Sequence, residues 1–163
     1  MAIKAILFDW GGTLMREFPE YYQENADWSR VETMPGVSEV LTALSKDYDL
    51  YVASNWSGRF AERLPIALEQ VNIKKFFKEI FTAKSLGVLK PEPRFYKEIL
   101  KRIEADPQEV VMVGDDLHND VIAAKQAGLF AVMYTTFTPY DMKEGGDAVI
   151  YSMHGLPRVI SNL

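Results

Sequence analysis

At several points in the chain an apolar run stops at residues that can do chemistry. The run Ala5–Phe8 ends in Asp9, and Gly11, Gly12 and Thr13 follow almost at once. A second run ends in Ser54-Asn55, and a third in Gly114-Asp115-Asp116, with Asp120 one helical turn further on. Between them Lys90 stands directly before Pro91. If these ends meet, carboxylates, a hydroxyl and an ammonium share one rim. Carboxylates so close repel and raise one another's pKa values. A divalent cation and Lys90 would relieve them. An oxygen-only donor set suits Mg²⁺, which takes few carboxylates and keeps waters and a substrate phosphate. Each piece alone also has a structural use. Ser54-Asn55 is a common capping pair, Asp115-Asp116 can cap a helix from 117, and Asp120 is favourable in a first turn. A lysine before proline is commonly a solvated loop residue. The functional reading rests on the ordered set.

The elements that must position these residues follow from patterning. "IKAILFD" (3–9), "DLYVASN" (49–55), "EVVMVGD" (109–115) and "LFAVMYT" (129–135) are short, rich in Val, Ile, Phe and Tyr, and do not alternate, as expected of strands covered on both faces. Helical spacing joins Val37, Val40, Leu41 and Leu44, then Phe95, Ile99 and Ile103 beside Tyr96 and Leu100, then Leu117, Val121 and Ala124 up to Gly128. Strand and helix in alternation predict an α/β fold, a doubly wound parallel sheet with right-handed crossovers. In such a sheet ligands bind beyond the carboxyl ends of the strands, where the polar residues above stand. "GGDAVIYS" (145–152) is expected to add a late edge strand and "GLPRVISNL" a terminal helical turn. Pro65 interrupts a helical pattern, so residues 57–84 are expected to form two short helices. Residues 14–33 are acidic and aromatic with weak periodicity. Their Tyr21, Tyr22 and Trp28 could face a substrate, although packing on the domain is the simpler use.

Bulk properties narrow the class. The 163 residues suit one domain, 1–163. A net charge of −5 argues against nucleic-acid binding by bulk electrostatics. With no cysteine there are no disulfides, thiolate metal sites or cysteine nucleophiles. No apolar run is long enough for a membrane span, and "MAIKAILFDW" is too short and too acidic at its end for a leader. The expectation is a cytoplasmic protein.

"FDWGGTL", "VASN", "LKPEPRFY" and "VGDDLHNDVIAAKQAG" resemble, in order, the four motifs of the haloacid dehalogenase-like (HAD) hydrolase superfamily, and the last is close to its phosphatase branch. The resemblance covers nearly the whole chain and implies a HAD-like, Rossmannoid core. It implies that Asp9 is a nucleophile forming an aspartyl-phosphate, and that Asp9, the Gly11 carbonyl and Asp115 hold Mg²⁺. Asp120 and Asp116 would orient bound waters from behind. Ser54, with Asn55, would bind a phosphoryl oxygen, and Lys90 would balance the charge of Asp9 and the phosphate. Gly12 would permit the sharp turn after the first strand.

Two features depart from the family pattern. Where phosphatases of the family carry a second aspartate, the general acid and base, this chain has Gly11. Losing such a group costs ~10²–10⁴ in rate, least for leaving groups that need no proton. Arg59 and His118 are nearby polar residues. His118 could replace the acid, but an exposed first-turn histidine is the simpler reading, and Arg59 is more simply a surface residue. The family's dehalogenases and phosphonate hydrolases lack the second aspartate, but they carry a large helical cap after the first motif. Here only about twenty residues stand in its place, a short flap or minimal cap at 14–33. An open site of this kind suits a large phosphorylated substrate or a lid supplied by an oligomer. The resemblance thus predicts a Mg²⁺-dependent phosphohydrolase. The alternatives are a catalytically degenerate binding protein and, more remotely, a 2-haloacid dehalogenase.

Overall fold

The computed structural model describes residues 2–22, 28–136 and 146–163. Its centre is one sheet of six parallel strands: β1 (Ala5–Phe8), β2 (Asp49–Ser54), β3 (Phe77–Thr82), β4 (Val110–Gly114), β5 (Phe130–Tyr134) and β6 (Ala148–Ile150). The spatial order is β3-β2-β1-β4-β5-β6. The chain winds outward from β1 in one direction and from β4 in the other. The strand order therefore reverses between β1 and β4, and a crevice opens at their carboxyl ends. Phe8 pairs with Val113, and the Asp9 N–H donates to the Val113 carbonyl at 2.9 Å. Asp9 and the residues after Gly114 therefore leave the sheet side by side.

Alternate strand residues fill two separate cores. Ile6, Phe8, Leu50, Val52, Val111 and Val113 pack on one face with α1 (Val37–Leu44), α2 (Gly58–Gln70) and α6 (Leu156–Ile160). Ala5, Leu7, Tyr51, Ala53, Val110 and Met112 pack on the other with α4 (Pro93–Ile103) and α5 (Ala123–Gln126). Burial of both strand faces explains why the central strands read as unbroken apolar runs. Among the described residues, no helix is long and apolar enough to cross a membrane.

Two expectations need correction, both within 57–84. Helix α2 runs through Pro65 as a single element. Its buried residues Ala61, Leu64, Ala67 and Leu68 keep one helical phase across the proline, and their burial offsets the missing backbone bond. The segment also holds a strand, β3, and the one-turn helix α3 (Ala83–Leu86). Strand β3 is an edge strand whose Lys78 and Glu79 are exposed, so it lacks the apolar run of the central strands. The late strand is present as β6; Gly145, at the start of the expected stretch, lies outside the described residues.

The described parts of 14–33 are held against the domain by aromatic packing. Trp28 stacks on Trp10 (6.2 Å between ring centroids) and Tyr21 (5.0 Å) and meets Trp56 edge-on at 4.6 Å. Trp10 follows β1 and Trp56 follows β2, so the cluster ties the segment to two strand ends. Tyr21 and Trp28 are buried, as packing residues should be; Tyr22 is 60% exposed. Residues 23–27 of the segment lie outside the described residues. Replacing a buried tryptophan with alanine costs about 3–5 kcal/mol. Trp28→Ala is therefore expected to lower the urea unfolding free energy by that order and to expose 14–33 to limited proteolysis. A loss well under about 1 kcal/mol would show that the cluster does not anchor the segment.

Candidate active site

Lys90 is the hub of the site. Its side chain is 2% exposed, and each of its three ammonium protons has an acceptor. Nζ donates to Asp9 Oδ1 at 2.9 Å, to the Ala53 carbonyl at 3.0 Å and to Asp120 Oδ1 at 2.6 Å. Burial works against its charge, but Asp9 and Asp120 outweigh that penalty and hold the ammonium above its ordinary pKa. With all three donors spent on protein oxygens, Lys90 brings charge to the cavity and no free donor.

Asn55, expected beside the phosphate, also has a structural task. Its side chain clasps the Lys90 backbone, with Oδ1 accepting from the Lys90 N–H at 2.7 Å and Nδ2 donating to the Lys90 carbonyl at 3.0 Å. A reciprocal amide clasp of this kind positions Lys90 and uses one of the two Nδ2 protons of Asn55. Ser54 is buried, and its Oγ accepts from the Trp56 N–H at 3.2 Å. The hydroxyl proton keeps its donor capacity.

Asp115 and Asp120 complete the rim. Ligand oxygens of Asp9, Asp115 and Asp120 all lie within 4.8 Å of one another. Burial first, and then the Asp9 charge, push Asp115 up to about 8, against a 3.1 Å hydrogen bond from Thr13 Oγ1. The same two causes raise Asp120, and Lys90 draws it back. Both Asp120 oxygens are spoken for: Oδ1 takes Lys90 and Oδ2 takes the Asp116 N–H at 3.1 Å. The wide turn at Leu117–Ile122, where the Val121 N–H reaches back to the Asp116 carbonyl at 3.3 Å, swings Asp120 under the end of β4. Beneath it the Tyr96 hydroxyl donates to the Asn119 carbonyl at 2.8 Å. Asp116 caps this helix, accepting from the N–H groups of His118 and Asn119 at 3.0 and 2.9 Å. Its carboxylate is thus used structurally, as the capping alternative had it.

The two glycines have different explanations. Gly12 has φ +75°, and a Cβ there would run into Asp115 Oδ2 and lie 2.9 Å from its Cγ. Both conformation and space require glycine. Gly11 has no such backbone. What occupies its side-chain space is Glu17, whose Oε1 would overlap a Cβ at position 11 and whose Cδ would lie 3.1 Å from it. Glu17 also lines the site cavity of about 220 Å³ together with Asp9, Gly11, Ser54, Lys90 and Asp115. Sequence reading passed over Glu17. The only signal for it was the acidic character of 14–33, which does not distinguish it from Glu20. His118 and Arg59 are both exposed, and the Arg59 guanidinium lies 5.2 Å from the Phe60 ring. A larger cavity of about 610 Å³ opens between α2 and β3, away from these groups.

Comparison with known proteins agrees with this architecture. Residues 6–134 match the family model of haloacid dehalogenase-like hydrolases. Glyceraldehyde 3-phosphate phosphatase of Pyrococcus furiosus is 28% identical over 144 residues, covering 83% of this chain and 58% of that protein. Phosphoglycolate phosphatase of Vibrio vulnificus is 30% identical over 112 residues, 68% of this chain and 47% of that protein. The chain thus spans about half the length of these curated relatives. Among solved structures, a HAD phosphatase from Thermococcus onnurineus superposes with a TM-score of 0.82 at 20% identity, covering 97% of this chain and 98% of that one. The magnesium-bound HAD-hydrolase YfnB of Bacillus subtilis gives 0.81 at 15% identity, with 98% and 99% covered. Sheet order, site placement and family match agree: this chain belongs to the haloacid dehalogenase-like hydrolases.

Proposed function

We propose that the chain is a Mg²⁺-dependent phosphohydrolase working through an aspartyl-phosphate on Asp9. The observation that carries this reading is the Lys90 ammonium bound to one oxygen of Asp9. That contact fixes the carboxylate and leaves its other oxygen to attack phosphorus. The phosphatase names of the curated relatives support the same reaction class. Their named substrates are small phosphate monoesters, and a phosphate monoester, small or carried on a larger molecule, is the substrate class proposed here.

The donor set fits a hard divalent cation. Burial, and after it the nearby charge of Asp9, drive the Asp115 pKa far up, and all donors are oxygen. Asp9, Asp115 and the Gly11 carbonyl would hold the ion; both Asp120 oxygens being taken, Asp120 stands behind them. Mg²⁺ there would offset charge on the carboxylates and the phosphoryl group. The chain's own residues do the rest. Asp9 attacks phosphorus and the bond to the leaving oxygen breaks. Ser54 donates its hydroxyl proton to a phosphoryl oxygen. Asn55 holds the Lys90 peptide so that the ammonium stays beneath Asp9. Attack of water on phosphorus then returns the electron pair to Asp9 and releases phosphate.

Two measurements test the reading. The chain is expected to hydrolyse an aryl phosphate only with Mg²⁺, to yield an acid-stable phosphoenzyme on rapid quench, and to lose more than about a thousandfold in rate on Asp9→Asn. Hydrolysis that survives Asp9→Asn would overturn the proposal.

The second is thermodynamic. A carboxyl whose folded pKa is raised stabilises the fold while protonated, and that contribution is lost as pH rises from its unfolded value, about 3.9, through the folded one. Metal-free Asp115→Asn is therefore expected to melt higher than the native chain above about pH 8, and the gain should vanish towards pH 4. Mg²⁺ should raise the native melting temperature and leave that of Asp115→Asn almost unmoved. An equal Mg²⁺ shift in both proteins would remove Asp115 from the metal site.

A further inference from the structure

Acid–base chemistry is the one role that the family's phosphatases assign to a side chain missing here, at Gly11. In an aspartate the carboxylate oxygens sit about 2.4 Å from Cβ by standard bond lengths. Glu17 Oε1 lies at close to that separation from the Cβ position of residue 11, with its Cδ at 3.1 Å and Cγ at 3.2 Å from the same point. A carboxylate oxygen from six residues further along the chain therefore enters the space that a side chain at 11 would take.

Its delivery is built into the segment. Gly12 N–H donates to the Met15 carbonyl at 2.8 Å, Met34 N–H to the Leu14 carbonyl at 2.9 Å, and Arg16 N–H to the Glu32 carbonyl at 2.9 Å. Met15 and Phe18, on either side of Glu17, are buried. The backbone at 17 is thus pinned while its side chain projects into the site cavity. The Tyr22 hydroxyl donates to Glu17 Oε1 at 2.7 Å and fixes its orientation.

We propose that Glu17 is the general acid and base of this site, a role that rests on the phosphoaspartate reading above, and that Tyr22 is its positioning residue. In the first half-reaction Asp9 bonds to phosphorus, the bond to the leaving oxygen breaks, and the Glu17 carboxyl proton passes to that oxygen, releasing an alcohol. In the second, Glu17 takes a proton from water as the water oxygen bonds to phosphorus. The bond from phosphorus to Asp9 breaks with its electron pair returning to Asp9, phosphate leaves, and Glu17 is again protonated. The inference widens the substrate class from esters with good leaving groups to ordinary alkyl phosphates.

The test uses the whole chain with Mg²⁺ and a series of aryl phosphates from nitrophenyl to methoxyphenyl, followed by rapid acid quench. Glu17→Gln is expected to lengthen the phosphoenzyme lifetime by about 10²–10⁴-fold and to steepen the dependence of phosphorylation rate on leaving-group pKa. Tyr22→Phe should act in the same direction, less strongly, and have no further effect in the Glu17→Gln background. Gly11→Asp placed in Glu17→Ala, where the space is vacated, should restore a short lifetime. If Glu17→Gln still forms phosphoenzyme with the native lifetime and the native leaving-group dependence, Glu17 is not the acid–base group, while the Asp9 reading stands. A uniform loss across the whole series with an unchanged lifetime would assign Glu17 to substrate binding and equally overturn the inference. Absence of any phosphoenzyme from the native chain would overturn both proposals.

Discussion

One buried cation governs the polar edge of this molecule. Taking an ammonium out of water costs several kcal/mol unless charge and hydrogen bonding replace the lost solvent. Lys90 meets that requirement with three oxygens drawn from the end of β1, the end of β2 and the turn after β4. Each of those segments is held at its place partly because the ammonium must be satisfied. The sheet order makes the solution available, since β2, β1 and β4 are neighbours and all run the same way. The Asn55 clasp supplies the last constraint by fixing the peptide from which Lys90 projects.

The carboxylates are in the opposite position. Asp9, Asp115 and Asp120 face one another around the Lys90 ammonium, and burial together with the Asp9 charge raises the proton affinity of Asp115 and Asp120. Packing elsewhere must hold this arrangement together. The two cores on the faces of the sheet and the aromatic cluster around Trp28 do so, and they meet the rim at few points, such as Trp56 beside Ser54 and Tyr96 beneath Asp120. Residues that stabilise the fold and residues that strain it are therefore segregated along the strand axis, with apolar layers below and crowded oxygens at the carboxyl ends.

Much of this was legible in the chain. Central strands buried on both faces leave unbroken apolar runs, and a residue at the end of such a run has only one place to go, so Asp9, Ser54 and Asp115 could be set on a common edge from their spacing. Lys90 was legible as a member of the set but not as its hub, because the number of its acceptors depends on three segments converging in space. The edge strand β3 was not legible, since a strand with one open side and exposed Lys78 and Glu79 carries no continuous apolar signal. The continuity of helix α2 is obscured by Pro65, whose propensity opposes the unbroken phase of the helix's buried face. Glu17 lay beyond reach for a different reason. Its place depends on how the chain returns after Gly12, and nothing in its immediate neighbours marks the direction of its side chain.

The volume beside Gly11 has a consequence for how such a chain can change. A side chain at position 11 and the Glu17 carboxylate contend for it, and Glu17, the far end of a flexible and exposed side chain, is the one that can yield. A lineage moving from one to the other must pass through a form with both acids contending for the space or with neither present. The first form crowds a rim already rich in negative charge. The second keeps the fold, because Glu17 is exposed and contributes nothing to either core. The space open to a side chain at either of positions 11 and 17 therefore depends on what the other holds.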